Sequence, residues 1–169
     1  MRPTRHEWAM NLVQATAARA TCLRRQVGCV LLNARGHVLA TGYNGVASGM
    51  DHCNESKPIP IIEFYEIGLE GCLRSTFPHA CPGAESPSGT NLDGCEAIHA
   101  EQNALLQCSD VYQIHTCYVS ASPCVTCTKL LLNTSCQNIV FKEEYAHKVS
   151  ADLWMKAGRN WLSVDCLGS

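Results

Sequence analysis

The sequence has no excess of positive charge, with 13 Lys+Arg against 15 Asp+Glu and a formal net charge of -2. Proteins that grip a phosphate backbone usually carry a clustered basic face, so this balance argues against a nucleic-acid partner and favours a small polar substrate. Nowhere do roughly 18 apolar residues run together, so no membrane span is indicated. Met1 to Gln14 carries Arg2, Arg5 and Glu7 and no apolar stretch suited to a secretory signal. A cytoplasmic location is expected. Internal repeats and low-complexity tracts are also lacking. What is plentiful is cysteine, 12 in 169 residues. Without an export signal such cysteines read as metal ligands or buried apolar residues rather than a disulfide framework. At 46% hydrophobic composition the chain suits one compact domain spanning 1–169.

Trp8, Leu12 and Ala15 follow i, i+4, i+7 spacing and predict an amphipathic first helix from Glu7 to Ala20. Val27 to Leu32 and Val38 to Tyr43 read as strands joined by the turn Asn33-Ala34-Arg35-Gly36, a hairpin. Residues 46–95 form an insertion rich in Gly, Pro, Ser and Cys, in which only Ile59 to Leu69 has the apolar content for a short element. So long an irregular segment needs a staple or a partner. Beyond it the pattern predicts a helix over Ala97–Cys108, a strand over Thr116–Ser120, a helix over Cys124–Asn133, a strand over Asn138–Lys142 and a helix over Ala151–Lys156. The order α-β-β-α-β-α-β-α implies a layered α/β domain.

Two segments carry chemistry: His99-Ala100-Glu101 and Pro123-Cys124-Val125-Thr126-Cys127, each opening a predicted helix. Cysteines two residues apart at a helix start can aim both sulfurs at one ion, and the helix dipole favours the thiolate that zinc binds. A lone C-x-x-C is also compatible with a structural knuckle or a redox motif. One imidazole and two thiolates leave the fourth tetrahedral position of zinc open, the mark of a catalytic site. Two thiolates also cancel the charge of the ion, so a neighbouring base is needed, and Glu101 sits two residues past the histidine. H-x-E paired with P-C-x-x-C is the signature of zinc deaminases.

On Thr21-Cys22-Leu23-Arg24-Arg25-Gln26-Val27-Gly28, Ala40-Thr41-Gly42-Tyr43-Asn44-Gly45, His99 to Ala104 and Ser122 to Cys127, the chain resembles the deoxycytidylate deaminase family from about Trp8 to Tyr145. The resemblance implies a three-layer α/β/α domain around a mainly five-stranded mixed sheet. It implies hydrolysis of dCMP to dUMP and ammonia, supplying dUMP for thymidylate synthesis, in a homohexamer activated by dCTP and inhibited by dTTP, with Mg on the triphosphate. A phage-encoded member would work in the host cytoplasm. Glu101 would take a proton from the attacking water, deliver it to ring N3 and pass a second to the leaving amine. By resemblance the Ala100 N–H meets the pyrimidine O2, Asn44 a sugar hydroxyl, and Ser122 and Tyr145 are further substrate contacts. Arg24, Gly42, Tyr43, Asn44 and Gly45 resemble the effector pocket, although Asn-Gly is also a common turn dipeptide. Arg24 and Arg25 offer guanidinium forks to a phosphate of substrate or effector, or a solvated surface, and Lys148 lies near the same region. The chain departs from the usual pattern in Ser120-Ala121-Ser122 before the Pro-Cys and in Cys29, where alanine is frequent.

Cys22, Cys53, Cys72 and Cys95 resemble positions from which some family members bind a second, structural zinc, with His52, His79 or Cys81 as substitutes for one ligand. Closed four-cysteine coordination would stabilise an insertion poor in apolar residues. Cys29, Cys108, Cys117, Cys136 and Cys166 read as core or surface thiols. Competing readings are a related deaminase acting on dCTP, deoxycytidine or a tRNA adenosine, and a zinc-stapled binding module. The charge balance disfavours tRNA. Glu101 disfavours the module, which would have no use for a carboxylate beside an open coordination position.

Overall fold

The computed structural model describes residues 1–54, 83, 86–87, 90, 94–144 and 148–167. The first helix, α1 (Arg5–Ala17), begins at a capping box: the Thr4 hydroxyl accepts from Glu7 N–H, and the Glu7 carboxylate accepts from Thr4 N–H. These bonds satisfy two of the amide donors that a helix start leaves unpaired. The helix therefore starts two residues before the expected Glu7, and it stops at Ala17, short of Ala20. Its buried face is also not the expected one: Ala9, Met10, Val13 and Ala17 are covered, whereas Trp8 and Ala15 are exposed. The reason lies in the sheet beneath. A Cβ on Gly28 would lie 2.2 Å from Val13 O and 2.7 Å from Ala17 N, so the helix sits directly on a bare strand backbone. Only a face of small residues can approach so closely, which pushes the bulkier Trp8 aside.

β1 (Gly28–Leu32) and β2 (Val38–Tyr43) pair antiparallel as the expected hairpin. Asn33 Oδ1 accepts from Arg35 and His37 N–H, and Gly36 at φ 86 supplies the left-handed residue of the turn. β3 (Thr116–Ala121) runs antiparallel to β1 and parallel to β4 (Asn138–Glu143), which pairs in parallel with β5 (Asn160–Ser163). The result is a mixed five-stranded sheet in the order β2-β1-β3-β4-β5. β5 was invisible to the pattern: it has four residues, none fully buried, so no apolar alternation announces it. Ile59–Leu69 lies outside the described residues.

The faces of the sheet separate cleanly. Val30, Leu32, Tyr118 and Val140 pack under α1. On the other face Cys29, Leu31, Cys117, Val119 and Ile139 pack against α2 (Ala100–Gln107), α3 (Val125–Leu132) and α4 (Lys148–Lys156), which contributes the buried Trp154. Three layers result, the expected α/β/α arrangement. Cys29, Cys117 and Cys136 are core residues, Cys108 is partly buried and Cys166 is exposed. α4 starts three residues before the expected Ala151, because the buried Ser150 and exposed Val149 obscure its stripe. Arg159 closes the far end of α3, donating to the carbonyls of Leu131, Leu132 and Cys136 while its guanidinium stacks on Trp154. Carbonyls at a helix end need such partners, and the cation anchors the helix that begins with Cys124. Among the described residues no helix is long and apolar enough to cross a membrane.

Candidate active site

Both site helices begin with a chemically active cap. His99 is the N-cap of α2, and its backbone N–H donates to Gln102 Oε1 at 2.9 Å. Cys124 is the N-cap of α3, its sulfur 3.5 Å from Cys127 N. The expected helix starts at Ala97 and Cys124 thus shift to Ala100 and Val125. His99 Nδ1 lies 3.5 Å from Cys124 Sγ and 3.4 Å from Cys127 Sγ. Nitrogen and sulfur ligands of one tetrahedral zinc, at roughly 2.0–2.1 Å and 2.3 Å from the ion, stand roughly 3.6 Å apart. The cluster therefore has the dimensions of a zinc site, and among the described residues no other group of three or more His, Cys, Asp or Glu has its ligand atoms so close together.

Electrostatics prepare the same chemistry. The Cys124 thiol is pulled down to about 4, chiefly by its hydrogen bond with Cys127 and further by His99, against the opposing effect of burial. Cys127 is pushed up by the same pairing and by burial. His99 is raised, mainly by its hydrogen bond with Cys124. Glu101, only 4% exposed, is pushed up to about 6 by desolvation. A buried carboxylate of that basicity can accept and return a proton near neutral pH.

Of these groups, His99, Glu101 and Cys124 line a cavity of about 680 Å³, open mouth included, and Cys127 is fully buried behind them. Of the residues singled out from sequence, Ala100, Ser122, Asn44, Arg24 and Arg25 line it, together with Cys22 and Cys95. Asn44 is 8% exposed and ties two segments together, accepting from Val27 N–H and donating to the Arg25 carbonyl, each at 2.7 Å. Gly42, Tyr43 and Gly45 are not in the lining. A Cβ on Gly42 would lie 2.2 Å from Ala100 O and 2.4 Å from Ala104 N, so the glycine lets α2 settle on β2. Tyr43 O accepts from Asn103 Nδ2, and Gly45 pairs with Ile98 just before His99. The tetrapeptide thus fixes the start of α2. Tyr145 and Cys72 lie outside the described residues, as do His79 and Cys81. Cys22 and Cys53 are buried and Cys95 is partly so. Gln102, Asn103 and Glu143 escaped the sequence reading. Gln102 had a signal, since it stands three residues after a helix cap.

Residues 3–143 match the model of the cytidine and deoxycytidylate deaminase zinc-binding region. The chain belongs to this family. Within it, the chain is 32% identical over 144 residues to a deoxycytidylate deaminase of Mycobacterium phage D29, covering 85% of this chain and 98% of that one. It is 31% identical over 147 residues to the Saccharomyces cerevisiae deoxycytidylate deaminase, covering 86% of this chain but 39% of the yeast protein. The chain therefore spans well under half the length of that yeast relative. In fold it superposes on the dCMP deaminase of cyanophage S-TIM5, solved in complex with dCMP and dUMP, with a TM-score of 0.66, 21% identity and coverage of 96% and 98%. Membership in a zinc-binding family accords with the zinc-sized cluster of His99, Cys124 and Cys127.

Proposed function

We propose that this chain hydrolyses dCMP to dUMP and ammonia, as one deaminase domain with an insertion at about 46–95. The observation that carries the reading is buried Glu101 beside the three-ligand cluster of His99, Cys124 and Cys127, at the floor of a cavity whose rim holds Arg24 and Arg25. Zinc held by those three residues would make a water nucleophilic near neutral pH. Glu101 accepts the proton that the water loses and delivers it to ring N3 as the water oxygen bonds to C4, then takes the remaining proton from that oxygen and passes it to the amine, so that the C4–N bond breaks, ammonia leaves and the C4 carbonyl forms. The Ala100 N–H, at the first turn of α2, is oriented by the same helix start to meet the pyrimidine O2, while Asn44 and Ser122 face the sugar and ring edge from the walls. Tyr145 belongs to the same proposal as a substrate contact. The names of the yeast and mycobacteriophage relatives, and the dCMP and dUMP bound to the cyanophage protein, support this substrate.

Regulation and assembly complete the reading: a cytoplasmic homohexamer feeding dUMP to thymidylate synthesis, activated by dCTP and inhibited by dTTP with Mg, through Arg24 and the Gly42–Gly45 turn. A panel of dCMP, dCTP, deoxycytidine, CMP and a tRNA anticodon stem, assayed for ammonia, tests it. Ammonia is expected from dCMP above all, and the apparent dCMP affinity should differ by roughly 5–150-fold between dCTP and dTTP. Preference for another member of the panel would refute the substrate, and superimposable dCMP curves with and without the triphosphates would refute the regulation.

A second zinc on Cys22, Cys53, Cys72 and Cys95 is part of the proposal, since a closed site contributes folding energy directly. Metal analysis should return about two zinc ions per chain by this ligand count. Cys72→Ser should lose one of them together with several degrees of melting temperature. A single zinc in the wild-type protein would dispose of the second site.

A further inference from the structure

A charge pair beside the cavity takes no part in the proposed chemistry. Arg25, on the segment leading into β1, lines the cavity. Its guanidinium is paired with the carboxylate of Glu143 at the end of β4, 118 residues away in sequence. The Glu143 backbone is itself held, its carbonyl accepting from Ser122 N–H at 2.9 Å, two residues before Cys124. Arg24 is anchored differently, with Nη2 donating to the carbonyls of Pro87 and Thr90, both at 2.6 Å. Those neutral oxygens orient its charge without cancelling it. Among the described residues lining the cavity, Arg24 and Arg25 alone carry permanent positive charge, and Glu101 is the only carboxylate. An anionic group on an incoming ligand is drawn to this rim. At Arg25 it meets a seat already taken.

We propose that Glu143 is an internal competitor for Arg25, and that it sets how tightly the cavity takes a phosphorylated ligand relative to an uncharged one. The inference rests on the reading of a nucleotide substrate and adds a residue that decides its specificity. The Arg25 side chain is 30% exposed and that of Glu143 63%, so their pair is solvated and individually weak. A phosphate presents several oxygens and up to two charges to the planar guanidinium, which makes it the stronger partner. The ligand therefore displaces Glu143. Each binding event gives up the ion pair and leaves a carboxylate facing a phosphate, a penalty that an uncharged nucleoside does not feel.

Calorimetric titration of the zinc-loaded protein with dUMP, deoxyuridine and inorganic phosphate, at low salt, separates these contributions. Glu143→Gln is expected to bind dUMP and inorganic phosphate about two- to fivefold more tightly, on the scale of one exposed ion pair, with deoxyuridine unchanged. Arg25→Gln should weaken dUMP and phosphate, and in the double variant the Glu143 substitution should have no further effect. The gain should shrink as salt is raised. Unchanged dUMP and phosphate affinities in Glu143→Gln would overturn the proposal, as would equal tightening of deoxyuridine or absence of phosphate and dUMP binding throughout. Failure of the dCMP reading registers separately, as a wild-type protein that releases no ammonia from dCMP while its phosphate affinity still responds to Glu143→Gln.

Discussion

Glu101→Ala is expected to keep its zinc and lose dCMP turnover by roughly 10²–10⁴-fold, the usual share of a positioned acid–base group. Glu101 is buried in the cavity wall beside His99 yet is not one of the three residues whose ligand atoms cluster, so its removal leaves the metal-holding atoms in place. On the proposed mechanism, what disappears is the route by which one proton leaves the water and another reaches the amine. Metal content of the purified variant should equal that of wild type, and single-turnover rates with dCMP should carry the whole defect. Turnover within a few-fold of wild type would show that some other group moves the protons. Equal loss of zinc would show that the carboxylate serves the metal instead.

Among the described glycines, Gly42 should be the one whose replacement by alanine most damages site assembly. The added Cβ would press on Ala100 O at 2.2 Å and Ala104 N at 2.4 Å, both backbone atoms that cannot rotate away. Overpacking typically costs 1–3 kcal/mol, and a clash with rigid helix backbone belongs at about the top of that range. For a chain of this size about 3 kcal/mol corresponds to a drop of roughly 6–12 °C in melting temperature. Gly28→Ala makes a matched comparison, because its Cβ would strike Val13 O at 2.2 Å and Ala17 N at 2.7 Å on α1. Both variants should lose comparable stability. Only Gly42→Ala should also hold zinc less firmly against a chelator, since α2 begins with His99 whereas α1 carries no ligand of the cluster. A wild-type melting temperature in Gly42→Ala would refute the close approach, and matching zinc loss in both variants would refute its tie to the site.

The ligands were legible in the sequence because their geometry is local. His99 with Glu101, and Cys124 with Cys127, each need only one helix start to be brought to the right spacing, and a helix start is written in a few neighbouring residues. The buried face of α1 was not legible in the same way. Periodicity weighs side-chain size and singled out Trp8, Leu12 and Ala15, while the deciding feature was a glycine on another element against which the backbone of Val13 and Ala17 sits. β5 is too short to show alternation, and the pairing of Arg25 with Glu143 joins residues too far apart in sequence for any spacing rule. Gln102 could have been found, had the capping pattern been applied to a histidine in the cap position.

The antiparallel seam between β1 and β3 determines how the molecule must assemble itself. The β1–β2 hairpin closes over five residues, and β3, α3, β4, α4 and β5 follow one another as a chain of short parallel crossovers. Each of these halves can form from contacts near in sequence. Their junction cannot, since Cys29 and Cys117 touch across 88 residues, and closing so long a loop costs entropy before any contact repays it. The pocket stands at that junction, with Asn44 and the arginines on one half and Cys124 and Ser122 on the other. Assembly of the pocket therefore depends on this long-range closure. Any staple within residues 46–95 would act first on the time this takes, by shortening the loop whose ends have to meet.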